Sequence, residues 1–185
     1  MVGNALIYNL LFMIVIINIV ALYGNQFSEF KMSNKKIIFV VGHENWGKSK
    51  TLKALTDNNR YVKNYELGGL SWFIRRMSND DQPAGYYKFM DKFTNPNLIA
   101  AFCPNFDDER NEITINLLKK LSNKGYEIYF WVLKIQFTSG VSMSSNYIDK
   151  LKDFGEVEVY SKNSESSIRA TELRKYIEKI ASPST

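Results

Sequence analysis

The fold of this chain is decided by the stretch Gly42-His43-Glu44-Asn45-Trp46-Gly47-Lys48-Ser49. It fits the pattern G-x-x-x-x-G-K-[ST]. Residues 36–41, just before it, form a β-branched run of strand length. After it, Leu52 and Leu55 have the spacing of one face of a helix. The sequence therefore predicts a strand, a glycine-flanked loop and a helix in succession.

A loop of this pattern, known as Walker A, binds phosphate for physical reasons. We expect Gly42 to leave the strand in a backbone conformation closed to residues with a Cβ atom. Successive backbone N–H groups then converge on one anion, and the start of the following helix adds its partial positive charge. Lys48 would reach the β- and γ-phosphates, and the Ser49 hydroxyl would bind Mg²⁺. The sequence thus predicts a nucleoside triphosphate with Mg²⁺ as the ligand.

Asn45 occupies a position where many such loops carry a further glycine. Asn is among the few residues that tolerate a left-handed backbone, so the departure is mild. The alternative interpretation of the whole stretch is a coincidental glycine-rich turn. The residues predicted to contact the nucleotide are Gly42, Asn45, Trp46, Gly47, Lys48, Ser49 and Lys50.

The composition is that of an ordinary globular protein. The 185 residues are 45% hydrophobic and 23% charged, and the net charge is +5. Glu29 and Lys31 cancel, so the whole positive excess lies in residues 32–185 and suits a polyphosphate ligand. The lysines are spread along the chain, so there is no strong nucleic-acid signal. The single Cys103 excludes an internal disulfide, and with one histidine it cannot make a zinc site.

Residues 5–23 form an apolar run in which only Asn9 and Asn18 are polar. This is about the length needed to cross a bilayer, and the lysines that follow would keep the loop in the cytoplasm. A cleaved secretory signal is disfavoured because no basic residue precedes the run. The alternative is that Met32 is the true start. We therefore expect a hydrophobic segment, 1–31, and a nucleotide-binding domain, 32–185, that is cytoplasmic or anchored to a membrane on its cytoplasmic side.

The rest of the chain alternates strand and helix patterns. Strands are predicted at residues 36–41, 61–67, 98–103, 126–133 and 157–160. Helices are predicted after the loop, over 70–77, over 85–93, from the acids at 107–109 to Gly125, over 144–154 and over 167–180. Such alternation predicts an α/β fold with three αβα layers and a five-stranded, mostly parallel sheet. Its ligand site lies beyond the carboxyl ends of the strands.

Residues 35–180 resemble the P-loop NTPase superfamily, and in size and spacing they most resemble its small-molecule kinases. In those kinases an acid often ends the second strand, and Glu66 follows Lys48 at a similar separation of 18 residues. The resemblance implies that Glu66 is a base toward the phosphoryl acceptor or an outer-shell partner of Mg²⁺. The alternative is a solvated acid at the end of a strand.

The sequence departs from that family at the second motif, usually a hydrophobic strand that ends in an Asp holding Mg²⁺ through water. The corresponding run here ends in Phe102-Cys103-Pro104. Asp107 or Asp108 could swing back to replace the missing acid, or both are ordinary acids of a first helical turn. We interpret Cys103 itself as a core residue.

The sequence says less about the phosphoryl acceptor and about the nucleobase of the ligand. Arg75 and Arg76 follow the second predicted strand and could hold an acidic or phosphorylated acceptor, or they form a basic helix face. The guanine-reading pattern Asn-Lys-x-Asp is replaced by Leu133-Lys134-Ile135-Gln136, so we expect ATP rather than GTP. Residues 138–140 could form part of a lid.

Three classes of function follow. The chain is a kinase that transfers a phosphoryl group from ATP to a small acceptor, an ATPase or nucleotide-binding module that drives a partner protein, or a nucleotide binder without turnover. His43 is interpreted as a filler of the loop in each of them.

Overall fold

The strand before the glycine-rich loop lies at the centre of a six-stranded sheet. The computed structural model describes residues 35–59, 62, 64–107 and 109–182, and β1 spans Lys35–Val41. It pairs in parallel with β4 (Asn97–Phe102) on one side and with β5 (Tyr126–Leu133) on the other. All six residues of β4 are buried, and so are the last five of β1. Continuous apolar runs of this kind are what strands covered on both faces require.

The outer strands complete the sheet in the order β2-β3-β4-β1-β5-β6. β3 (Leu70–Arg75) is parallel to β4, and β6 (Glu156–Tyr160) is parallel to β5. β2 (Tyr65–Leu67) is the one antiparallel strand among the described residues, and it forms the edge beside β3. The sheet is therefore mostly parallel, as the sequence predicts.

The described residues contain five helices: α1 (Lys48–Leu55), α2 (Pro83–Lys92), α3 (Asn111–Asn123), α4 (Ser145–Lys152) and α5 (Ser166–Ala181). α1 packs against α5, and α2 packs against α3. The connection from β1 to β3 runs in the opposite direction along the sheet to those from β3 to β4 and from β4 to β5. Because such crossovers are right-handed, α1 lies on one face of the sheet, and α2 and α3 lie on the other. This arrangement is consistent with a three-layer α/β fold.

Two predictions about the elements are wrong. The sheet has six strands rather than five, because residues predicted as a helix over 70–77 form β3. Gly68 and Gly69 have φ angles of 63° and 76°, so they make a tight two-residue turn that folds β3 back on β2. Trp72 and Ile74 then alternate into the core, which is the period of a strand.

Other boundaries differ less. Of the predicted strand over 61–67, residues 61 and 63 lie outside the described residues and Tyr65–Leu67 form β2. The helix predicted to open at the acids 107–109 begins at Asn111. The hydrophobic segment 1–31 and Asp108 lie outside the described residues. Within the part of the chain that the structure describes, no helix has the length and apolar character needed to cross a bilayer.

Candidate functional site

The glycine-rich loop leaves the carboxyl end of β1 and passes directly into α1. The Gly42 N–H still donates to the Phe102 carbonyl of β4, at 3.2 Å. α1 begins at Lys48, and its first turn is closed by Thr51, whose N–H and hydroxyl both donate to the Gly47 carbonyl. The loop therefore lies at the edge of the sheet where ligands of parallel α/β folds bind.

Two loop residues have a left-handed backbone. Asn45 has a φ of 60° and Gly47 a φ of 84°, so the expectation for Asn45 is confirmed. The expectation for Gly42 is wrong, because its φ is not positive. A Cβ atom at Gly42 would lie 3.1 Å from the Cβ of Trp46. The close approach of Trp46, rather than the backbone conformation, is what favours glycine there.

Trp46 packs the loop rather than facing a ligand. Its side chain is buried, and its ring meets the edge of His43 at 5.0 Å between centroids. His43 also meets Tyr147 of α4 at 4.8 Å. Burial lowers the pKa of His43, and the nearby Lys48 charge adds to the effect. These three rings pack together on one side of the loop, and the burial of the Trp46 side chain there does not support the prediction that Trp46 contacts the nucleotide.

Lys48 points from the start of α1 into a buried ion pair. Its Nζ donates to the His43 carbonyl at 2.9 Å and to Oδ2 of Asp80 at 3.0 Å. The two charged side chains are only 6% and 7% exposed. Attraction between opposite charges is strong in such a dry setting, but each charge loses its hydration, so the pair depends on good geometry.

Asp80 is held in place by the loop that follows β3. The side-chain amide of the fully buried Asn79 donates to the Cys103 carbonyl at 2.9 Å, and its oxygen accepts from the Cys103 N–H at 2.6 Å. The Ser78 hydroxyl donates to the carboxylates of Asp80 and Asp81. Residues 78–81 are therefore fixed to the end of β4, and Asp80 is presented to Lys48.

A cleft of about 370 Å³ opens beside this ion pair. Its size is within the usual range for small-molecule sites. One wall comes from the glycine-rich loop and α1, a second from residues 78–81, and a third from Gln136 and Thr138 after β5. Five of the seven residues predicted to contact the nucleotide line it: Asn45, Gly47, Lys48, Ser49 and Lys50. The structure thus brings most of the predicted loop residues together.

The structure does not bring Glu66 to the cleft. It lies on β2 and pairs with Ser71, near the beginning of β3. The register through β4 to β1 puts that level near Lys35, about seven strand residues from Gly42 and so roughly 20 Å away along the strands. Glu66 therefore lies at the end of the sheet opposite the cleft, and its position does not support the roles predicted for it as base or Mg²⁺ partner.

Asp107 also lies outside the cleft. Its side chain is 55% exposed, and its Oδ1 is 3.9 Å from Nζ of Lys150. It follows β4 and lies near His43 and near Lys150 of α4. The predicted catalytic role of Asp107 is therefore not supported by its position. It is not an acid of the first turn of α3 either, since that helix begins at Asn111.

Arg75 and Arg76 lie at the end of β3, so the alternative of a basic helix face is wrong. The Arg75 guanidinium packs over the rings of Phe89, at 4.3 Å, and Tyr86, at 5.2 Å, and burial lowers its pKa. Neither arginine lines the cleft described here. Contact of either one with an acceptor stays a prediction.

Cys103 is a core residue, as expected. It is 4% exposed, and burial raises the pKa of its thiol to about 12. It therefore stays protonated near neutral pH and is not a nucleophile. Its backbone is what matters to the site, because both of its peptide groups bond to Asn79.

Asp80 is the site residue that the sequence reading missed. The sequence predicts the acid of the second strand at Glu66, within the strand predicted over 61–67. In the structure the second parallel strand is β3, and Ser78-Asn79-Asp80-Asp81 follows it at the ligand edge. The alternation of Trp72 and Ile74 after Gly68-Gly69 is the signal that could have identified this strand.

Comparisons with family models, with curated proteins and with solved structures found no match. The resemblance to P-loop NTPases therefore stays a prediction from the sequence motif.

We predict that Asn79→Ala destabilises the fold by roughly 2 kcal/mol or more, because it leaves a buried N–H and a buried carbonyl of Cys103 without partners. Urea denaturation followed by circular dichroism measures this. Asn97→Ala is the matched control, since the buried Asn97 side chain donates one bond, to the Ser71 carbonyl at 3.1 Å. A loss no larger than that of the control would contradict the anchoring role of Asn79.

Proposed function

We propose that this chain binds ATP with Mg²⁺ and transfers the terminal phosphoryl group to a small acceptor. The observation that carries the proposal is the contact of Lys48 with Asp80 at the cleft. It combines a cation on a glycine-rich loop with an acid, the two charged groups that phosphoryl transfer needs. Asp80 supplies the acid that is missing from the end of β4.

The loop and α1 favour an anionic ligand. Gly47, Lys48 and Ser49 lie at the beginning of α1 and line the cleft. The first N–H groups of a helix have no partner within it, and the helix dipole adds positive charge there. Lys50 lines the same wall with a second ammonium group. These groups suit the phosphates of a nucleotide.

The cleft also offers oxygen ligands of the kind that Mg²⁺ prefers. Ser49 contributes a hydroxyl, and Asp80 and Asp81 contribute carboxylates. These three residues would hold the ion that accompanies the nucleotide. Bound there, Mg²⁺ would neutralise negative charge on the phosphate oxygens.

The buried ion pair suggests how Lys48 and Asp80 divide the work. A phosphate oxygen that enters the cleft competes with Asp80 for the Lys48 ammonium. Lys48 would then stabilise the charge on the transferring group, while Asp80 becomes free to accept the proton of the attacking hydroxyl or to act on the Mg²⁺ side. The glycine-rich loop and the residue 78–81 loop would thus work as one unit.

We assign ATP rather than GTP for the reason given by the sequence. No Asn-Lys-x-Asp pattern follows β5, and Gln136 and Thr138 line the cleft there. Their loop is closed by two backbone bonds, from Gln136 N–H to the Val141 carbonyl and from Gly140 N–H to the Gln136 carbonyl. This loop is the natural neighbour of the nucleoside part of the ligand.

One observation favours a second candidate, an ATPase that acts on a partner protein. Phe137 and Val141 are 43% and 56% exposed on the same loop that supplies Gln136 and Thr138. Contiguous exposed apolar surface marks docking sites, and these two side chains would contribute to one. ADP release that depends on a small acceptor favours the kinase; release that depends on a protein favours the ATPase.

We predict that Lys48→Ala lowers the affinity for MgATP at least about tenfold, because it removes a charged hydrogen-bond donor. Isothermal titration calorimetry with MgATP measures this. Lys53→Ala is the matched control, since Lys53 is exposed in the last turn of α1. Lys48→Ala leaves Asp80 buried and unpaired, so the double variant Lys48→Met with Asp80→Asn, which buries no charge, is measured beside it. Wild-type affinity in both would refute the assignment.

We predict that Asp80→Asn separates binding from turnover. Sodium tripolyphosphate without Mg²⁺ should bind more tightly than to the wild type, because the anion that competes for Lys48 is gone. ADP production from MgATP with an acceptor panel should fall at least about 100-fold. Glu66→Gln is the matched control and should retain full turnover, because Glu66 lies at the opposite edge of the sheet. Equal turnover in Asp80→Asn and the wild type would remove Asp80 from the proposal.

A further inference from the structure

A second cation lies against the glycine-rich loop, on the outer side of its backbone. Arg169 belongs to the first turn of α5 and is only 4% exposed. Its Nη1 donates to the Trp46 carbonyl at 3.0 Å. A Cβ atom built on Gly47 would lie 2.7 Å from Nη2. The guanidinium therefore occupies the space that any side chain at position 47 would need.

The charge of Arg169 has no counter-ion among the described residues. No described Asp or Glu forms an ion pair with it, and its buried Nε has no hydrogen-bond acceptor. Burial lowers its pKa, and Tyr160 is the one group that acts against this. Arginine nevertheless remains charged in proteins. Burial of an unpaired charge is costly, in contrast to Lys48, which has Asp80.

The bond to Trp46 fixes the direction of a backbone donor. Among the described residues every peptide bond is trans, so the carbonyl of Trp46 and the N–H of Gly47 lie in one plane and point in opposite directions. The carbonyl faces Arg169. The Gly47 N–H therefore faces away from Arg169, and Gly47 lines the cleft.

We propose that Arg169 is a positioning residue of the phosphate loop. It holds the Trp46–Gly47 peptide with its N–H toward the ligand, and it supplies a buried positive charge that is balanced by the ligand's phosphates. This inference rests on the proposed function and extends it to the C-terminal helix. The chemical class that it requires of the ligand is a polyanion.

The test is the neutral variant Arg169→Met, titrated with MgATP and with sodium tripolyphosphate by calorimetry. We expect at least about tenfold weaker binding of both, and a smaller loss of affinity with added salt than in the wild type. The melting temperature of the ligand-free protein should stay the same or rise, because the variant removes an unpaired buried charge. A purely structural role predicts a lower melting temperature and unchanged affinity, and that result would overturn the proposal.

Arg174 of the same helix provides the matched control. Its Nη2 donates to the Leu55 carbonyl at 3.1 Å, and its guanidinium packs near the Tyr65 ring, away from the cleft. Arg174→Met should lower the melting temperature and leave the affinities unchanged. If Arg169→Met does not fold, Arg169→Gln decides, because its shorter amide side chain keeps an N–H donor and removes the charge. Wild-type affinity in Arg169→Gln would overturn the proposal.

The proposed function and the role proposed for Arg169 are contradicted by different results. A folded wild type that binds neither MgATP nor tripolyphosphate contradicts the proposed function itself. A wild type that binds both, with an Arg169→Met variant that binds them equally well, contradicts only the role of Arg169.

Discussion

The buried contact between Lys48 and Asp80 is the interaction on which the candidate site depends. Lys48 begins α1, and Asp80 belongs to the loop after β3, so the contact joins two segments separated in the sheet by β4. Asn79 fixes the loop that carries Asp80 to the end of β4, and Lys48 also donates a hydrogen bond to the His43 carbonyl. Without this contact, the glycine-rich loop and residues 78–81, which form the two main walls of the cleft, would no longer be held together by an ion pair.

The two buried cations near the loop differ in how their charge is balanced. Lys48 has a carboxylate within hydrogen-bond distance, whereas no described acid pairs with Arg169. An arriving phosphate would therefore displace Asp80 from Lys48 and bring to Arg169 a counter-charge that the described residues do not supply. We infer that the ligand-free site holds one positive charge, on Lys48, whose partner a ligand can replace, and a second, on Arg169, that no described acid balances. Such an arrangement raises affinity for anions of high charge over neutral ligands of the same size.

The central part of the fold could be predicted from the sequence because its signals are local. The run before Gly42 has the composition of a buried strand, and the loop pattern specifies both a strand before it and a helix after it. Asn45 illustrates the same point, since its left-handed backbone follows from its residue type and position. The alternation of strands and helices predicted the mostly parallel sheet.

The rest could not be read so directly, for physical reasons. The segment 70–75 contains both helix-compatible spacing and strand alternation, and only the Gly68-Gly69 turn, which pairs it with β2, decides between them. Because the segment is predicted as a helix, the acid after the second parallel strand is predicted at Glu66 and not at Asp80. Arg169 contacts Trp46 across 123 residues of chain, and no local pattern marks such a contact. The first miss comes from the secondary structure of residues 70–75 and the second from a tertiary contact, whereas the residue types of the loop are sufficient for its own prediction.

The most direct test of the central claim observes the loop amides themselves. We expect MgATP added to ¹⁵N-labelled protein to shift the amide resonances of Gly47, Lys48 and Ser49 in a saturable way, with one equivalent of ligand. The resonances of β2, at the opposite edge of the sheet, should not move. Saturable binding that leaves the loop resonances unchanged, or no binding by a folded sample, would contradict the account.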